Sequence, residues 1–149
     1  DNFTAVGAIA LAGGYYFPKK IGLILPLIIM FLSDLFLGFH STIIFVYGSF
    51  LLISLIGTVL RDKLTTENLL KASLLSSLLF FVITNFGVWL TGSMYSKTWE
   101  GLIQCYYMAI PFFRNTLLGD LFYNSLFYGL ISLNLFLKNK RLVFLKTQQ

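Results

Sequence analysis

Charge is what this sequence has least of. Only 11% of its 149 residues are charged, six of them acidic, against about 25% in an average soluble domain. One cysteine, Cys105, excludes an internal disulfide and any multi-cysteine metal or iron–sulfur site. One histidine, His40, excludes a histidine-rich metal site. There is no G-x-S-x-G, phosphate loop, H-E-x-x-H or carboxylate cluster, and no base beside Cys105 to activate it. The expectation is a protein with no catalytic chemistry, no cofactor and no metal.

What is present is apolar. Hydrophobic residues make up 57% and aromatics 17%, with 16 Phe and 8 Tyr. A soluble domain of this size leaves roughly a third of its unfolded surface in water, so it could not hide so much apolar area. The same arithmetic excludes disorder. Between Ile21 and Leu60 the one formal charge is Asp34, and residues 72–96 and 121–137 carry none. Apolar stretches of roughly 18 residues or more with almost no charge read as membrane spans. The fold class is therefore an all-α integral membrane protein, one membrane domain over residues 1–149 in a lipid bilayer.

The spans read as 4–17, 21–38, 41–60, 69–90 and 116–137. The first is rich in Gly and Ala and short of the roughly 20 residues a lone crossing needs, so it must pack closely against neighbours. Pro18 and Lys19-Lys20 end it, and Thr65 or Thr66 can cap the fourth. Residues 91–115 read as an outer loop holding an interfacial or re-entrant helix, with Asn115 or Thr116 capping the last span. This order places Lys19-Lys20, Arg61/Lys63/Lys71 and Lys138/Lys140/Arg141 on one side, the cytoplasmic one with the C-terminus. The net charge of +5 is thereby explained without nucleic acid. The first of the five spans then enters from outside, so a sixth helix upstream of Asp1 is expected.

Few residues could bind anything. Asp34, inside a span one turn from its outer end, is a functional candidate by its depth, or else a hydrogen-bonding partner between helices. His40 lies on the following turn. Asn85 and Trp89, four apart, share a helical face that could hold a flat ligand; the alternative, slightly less favoured, is an interhelical hydrogen bond and a belt tryptophan. Ser73, Ser77 and Thr84 on another face read as close-packing contacts. Trp99, Gln104 and Arg114 add polar and aromatic groups in the loop, and Asp120 opens the last helix, where it could pair with Arg114. The expected site is one outer cavity on which Asn85, Trp89, Trp99, Gln104 and Arg114 converge.

Three strings carry a family resemblance: Gly7-Ala-Ile-Ala-Leu-Ala-Gly-Gly-Tyr-Tyr-Phe17, Phe31-Leu-Ser-Asp-Leu-Phe-Leu-Gly38 and Pro111-Phe-Phe-Arg-Asn-Thr-Leu-Leu-Gly-Asp120. They resemble the substrate-binding S components of energy-coupling-factor (ECF) vitamin transporters. With Phe39-His-Ser-Thr42 and Ile83-Thr-Asn-Phe-Gly-Val-Trp89, the chain is also similar, over most of residues 2–128, to an uncharacterised bacterial membrane family described as transport proteins. The resemblance implies a six-helix bundle in the bacterial cytoplasmic membrane. It further implies an outward-facing pocket for a small, vitamin-like or metal-related solute, and a transmembrane coupling protein with ATPases as partners. The alternative is a non-transporting accessory subunit of a larger membrane complex.

Overall fold

The structure is a computed structural model that describes residues 5–146. It comprises five α-helices: α1 (Val6–Tyr16), α2 (Lys19–Leu37), α3 (Ile43–Leu60), α4 (Thr66–Thr91) and α5 (Trp99–Lys146). A single 3₁₀ turn, Arg61–Lys63, follows α3, and no strand occurs among the described residues. Three helical segments, Lys19–Leu37, Ile43–Lys63 and Thr66–Thr91, are long and apolar enough to cross a membrane.

Local chemistry accounts for most boundaries. Pro18, with its fixed φ, is the residue before α2. The helix continues through Pro26 and stops at Gly38, whose φ of +93° is one that L side chains rarely adopt. Thr65 caps α4, accepting from the Asn68 N–H at 3.2 Å.

The last helix differs from expectation. Residues 99–115 are not part of a loop before it; they are its first turns, and only 92–98 connect α4 to α5. The cap is Thr98: its Oγ1 accepts from the Gly101 N–H at 3.3 Å and its carbonyl from Leu102 at 3.0 Å. The neighbouring Glu100 carboxyl is held below its ordinary range by its own backbone N–H and by the Thr98 hydroxyl. Asn115 and Thr116 lie inside the helix, where the Thr116 hydroxyl donates back to the Phe112 carbonyl. Pro111 does not break α5.

The bundle is built with small and hydroxylated residues inside and large apolar ones outside. Its interior holds Ala8, Ala10, Ala12, Ser49, Ser54, Ser73, Ser76 and Ser77 around Leu11, Phe50 and Ile53. Its surface carries Ile21, Ile24, Phe36, Ile44, Val59, Leu74, Ile103 and Phe122. Water disfavours so large a continuous apolar surface, whereas lipid tails are as apolar as leucine and leave close packing to hold helices together. Helix α1 is the hub and touches all four other helices. A Cβ at Gly14 would run into the Ser54 carbonyl and one at Gly57 into the Leu11 carbonyl, so α1 and α3 meet at backbone contact.

The two ends of the bundle differ in charge. At one end Arg61 Nη2 donates to the Gly14 carbonyl at 2.9 Å and to that of Phe17, which joins the end of α3 to the α1–α2 turn beside Lys19-Lys20. At the other, Thr91 reaches Ser41 at 3.4 Å. Helix α5 runs antiparallel to α4 from this second end: Tyr106 donates to the Val82 carbonyl at 2.7 Å, and Ser77 meets Asp120 farther along. The α5 direction thus carries Lys138 toward the basic end, and Lys140 and Arg141 follow it in the chain.

Candidate functional site

Three groups of polar residues stand out, and they do not form the single cavity expected.

The first lies where α2 turns into α3. Asp34, one turn before the end of α2, is buried and accepts a 2.7 Å hydrogen bond from the Tyr47 hydroxyl of α3. His40 Nε2 stands 4.0 Å from the other carboxylate oxygen, while its Nδ1 lies 2.8 Å from Thr42 Oγ1. Asp34 therefore joins two helices and the turn between them.

The second is the seam of α4 and α5. Asn85 lines two cavities, of about 190 and 250 Å³, that share Asn85, Val88, Ala109 and Phe112. Phe80, Phe81, Thr84, Phe113 and Thr116 complete the first; Tyr95, Cys105 and Met108 complete the second. The Asn85 amide nitrogen donates to the Phe81 carbonyl at 2.8 Å, and the Cys105 thiol lies 3.5 Å from the Asn85 backbone carbonyl. Trp89 and Trp99 line a separate cavity of about 210 Å³ with Phe86, Lys97 and Leu102. The Trp89 indole N–H donates to the Ser96 carbonyl at 2.8 Å, and the Lys97 ammonium stands 5.7 Å from its ring centre. Lys97 also donates to the Trp89 and Gly92 carbonyls. Trp89 thus fastens the α4–α5 connection. Gln104 and Arg114 are exposed and line none of these three cavities. They were expected to point inward from a loop; a continuous helix fixes the direction of each side chain and sends these two outward.

The third group lies in the bundle core, level with the middle of α4. Asp120, expected at a helix start beside Arg114, is deep inside α5 and 2% exposed. The Ser77 hydroxyl donates to its Oδ2 at 2.7 Å, and the backbone N–H of Ala8 bonds to the same carboxyl group. Ala8 is in the first turn of α1, whose N–H groups have no partner within their own helix, so Asp120 caps α1 from another helix. Gly7 makes this possible, since a Cβ there would collide with the carboxylate. Asn124, one turn further on, and Ser73, one turn from Ser77 on α4, are each 1% exposed. Both amide atoms of Asn124 and the hydroxyls of Ser73 and Ser76 have no hydrogen-bond partner among the described residues. The sequence reading placed Ser73 and Ser77 as packing contacts and did not single out Ser76 or Asn124. Their spacing at 73, 76 and 77, and at 120 and 124, is the helical-face signal that could have found them.

No group of three or more His, Cys, Asp or Glu able to hold a metal ion occurs among the described residues. The architecture is that of an all-helical bundle, three of whose helices are long and apolar enough to cross a membrane, with hydroxyl and carboxyl groups in its interior. The chain belongs to a family of unknown function, DUF6580, whose profile matches residues 1–142. No curated protein and no solved structure matches it.

Proposed function

We propose that this protein is a membrane transport protein that binds a small solute in the α4–α5 seam, with no catalytic chemistry of its own. The observation that carries the reading is Asn85, a single amide in the wall shared by two otherwise largely apolar and aromatic cavities. A few placed polar groups in an apolar concavity are the usual composition of a ligand site. Each cavity is smaller than the roughly 300–1,000 Å³ of drug-sized sites, which favours a small, flat, vitamin-like or metal-related solute. In this reading α2 to α5 cross the bacterial cytoplasmic membrane, α1 reaches from the basic end to the middle of the bundle, and the basic end with the C-terminus faces the cytoplasm. The α4–α5 connection then lies outside, as in the S components of ECF transporters, with a coupling protein and ATPases as partners.

The test is native mass spectrometry of the protein purified in mild detergent, followed by binding of whatever small molecule is released. Asn85→Ala is expected to weaken that binding about 5- to 150-fold, the equivalent of about 1–3 kcal/mol for a lost buried polar partner. Undiminished binding by folded Asn85→Ala overturns the assignment of the pocket.

A second reading, an accessory subunit of a larger membrane complex, draws on α5. Ile103, Tyr107, Ile110, Phe122 and Leu126 leave its length apolar and exposed. Co-purification of a stoichiometric membrane protein with no small molecule favours that reading.

A further inference from the structure

We propose that the core group around Asp120 is a binding site for a small monovalent metal cation, of which Na⁺ is the probe, with Asp120, Asn124, Ser73 and Ser76 as its oxygen donors.

The argument begins with register. Ser77 and Asp120 are in contact, and α4 and α5 run antiparallel. One turn toward the start of α4 is Ser73, and one turn toward the end of α5 is Asn124, so these two lie level with each other beside the Ser77–Asp120 bond. Ser76 is on the same face of α4 as Ser73 and Ser77. All are at least nine-tenths buried.

Charge comes next. A helix N-terminus carries roughly half a positive charge. The α1 amide therefore offsets only about half of an ionised Asp120, and no ion pair to Asp120 occurs among the described residues. Buried charge of one sign is costly unless it is matched. A carboxylate also offers about four lone-pair positions, of which Ser77 and Ala8 use two.

The unsatisfied atoms then supply the coordination. Among the described residues Asn124 Oδ1 and the hydroxyl oxygens of Ser73 and Ser76 are buried without hydrogen-bond partners. Buried polar groups are normally satisfied, so several orphans on the adjoining α4 and α5 point to something that satisfies them together. Uncharged oxygens with one carboxylate form a hard donor set with a single negative charge. That set suits a hard monovalent cation, which with the α1 end leaves about half a positive charge; a divalent one would leave about one and a half, and a transition metal would favour nitrogen or sulfur. The Asn124 amide nitrogen, a donor, is served by a water in the cation's shell. The start of α1 faces the middle of α4, so the group lies level with the middle of the bundle. Ser77 and Asn85 are eight residues apart on α4, so this site lies about 12 Å from the solute seam and is independent of it.

Equilibrium binding of ²²Na⁺ to the purified full chain in nanodiscs tests the proposal without any solute. The expected result is saturable binding near one ion per chain, displaced by unlabelled Na⁺ and not by choline. Asp120→Asn is expected to abolish it. Asn124→Ala and Ser73→Ala are each expected to weaken it by at least the roughly tenfold that losing even an outer-shell partner costs a metal site. Ser54→Ala, a buried serine of α3 that donates to the Phe50 carbonyl, should bind as the parent does. If Asp120→Asn does not fold, the Asn124 and Ser73 variants, verified by circular dichroism and gel filtration, decide the matter. Absence of saturable Na⁺ binding by the folded parent overturns the proposal, including the outcome in which the site takes only a proton. Parent-like binding by Asn124→Ala and Ser73→Ala together overturns it also.

Discussion

The Tyr47 hydroxyl donates to Asp34 across the α2–α3 hairpin at 2.7 Å, and this bond ties the single carboxylate of the second helix to the body of the third. A hydrogen bond to a charged group contributes about 1.5–3 kcal/mol in a soluble protein, but interhelical hydrogen bonds in a membrane average only about 0.6. Asp34 sits at the helix end with half-exposed His40 beside it, so the smaller figure governs. Tyr47→Phe is expected to lower stability by about 0.5–1.5 kcal/mol in an unfolding titration in mixed micelles. Asp34→Asn, which can still accept from Tyr47, should cost less. Equal or greater loss in Asp34→Asn would show that the carboxylate charge, and not the hydrogen bond, holds the hairpin.

Backbone contact between α1 and α3 yields a sharper contrast. Gly57→Ala places a methyl against the Leu11 carbonyl and the Gly14 Cα, neither of which can rotate away. Overpacking of this kind costs about 1–3 kcal/mol. Gly48, also in α3, has open space around its Cβ position. Gly48→Ala is therefore expected to be neutral or to stabilise by about 0.5–1 kcal/mol through helix propensity. Thermal unfolding of the two variants side by side checks the prediction, and equal transitions would contradict it.

Arg61 binds two carbonyls at the end of α1 through one guanidinium nitrogen. Its positive charge also complements the negative end of that helix. Arg61→Ala is expected to destabilise by about 1.5–3 kcal/mol. Arg61→Lys should recover only part of this, since the shorter lysine side chain carries its ammonium less far toward the two carbonyls. A lysine variant as stable as the parent would mean that charge alone accounts for the residue.

Cys105 is 2% exposed in the α4–α5 seam. A membrane-impermeant maleimide applied to intact spheroplasts is expected to leave it unlabelled until the protein is denatured. In a Cys105→Ser background, Lys97→Cys, on the exposed connection between α4 and α5, should label at once. Thr147→Cys should stay protected until the membrane is opened. Labelling of the tail in sealed spheroplasts would reverse the proposed orientation of the bundle.

The sequence by itself determined the class of the fold. Apolar run length is a local property that a bilayer reads directly, so α2, α3 and α4 were legible to within a few residues. Pro18, Gly38 and Thr65 act on their own backbone, and their roles could be read from residue type alone. Thr98 was equally readable, as a capping threonine followed by Glu100, but the apolar run that begins at Leu102 looked too short to belong to a span. Its continuation into α5 through Pro111 depends on packing against α4 along the seam. Tertiary structure alone decided which polar groups meet. Ser77 and Asp120 are 43 positions apart, and whether they touch depends on helix register and direction, which no local pattern encodes. The same register turned Gln104 and Arg114 outward, attached Trp89 to Ser96, and brought the first turn of α1 to Asp120. Local chemistry sets where helices begin and end; the depth and rotation at which they pack set which side chains share the interior.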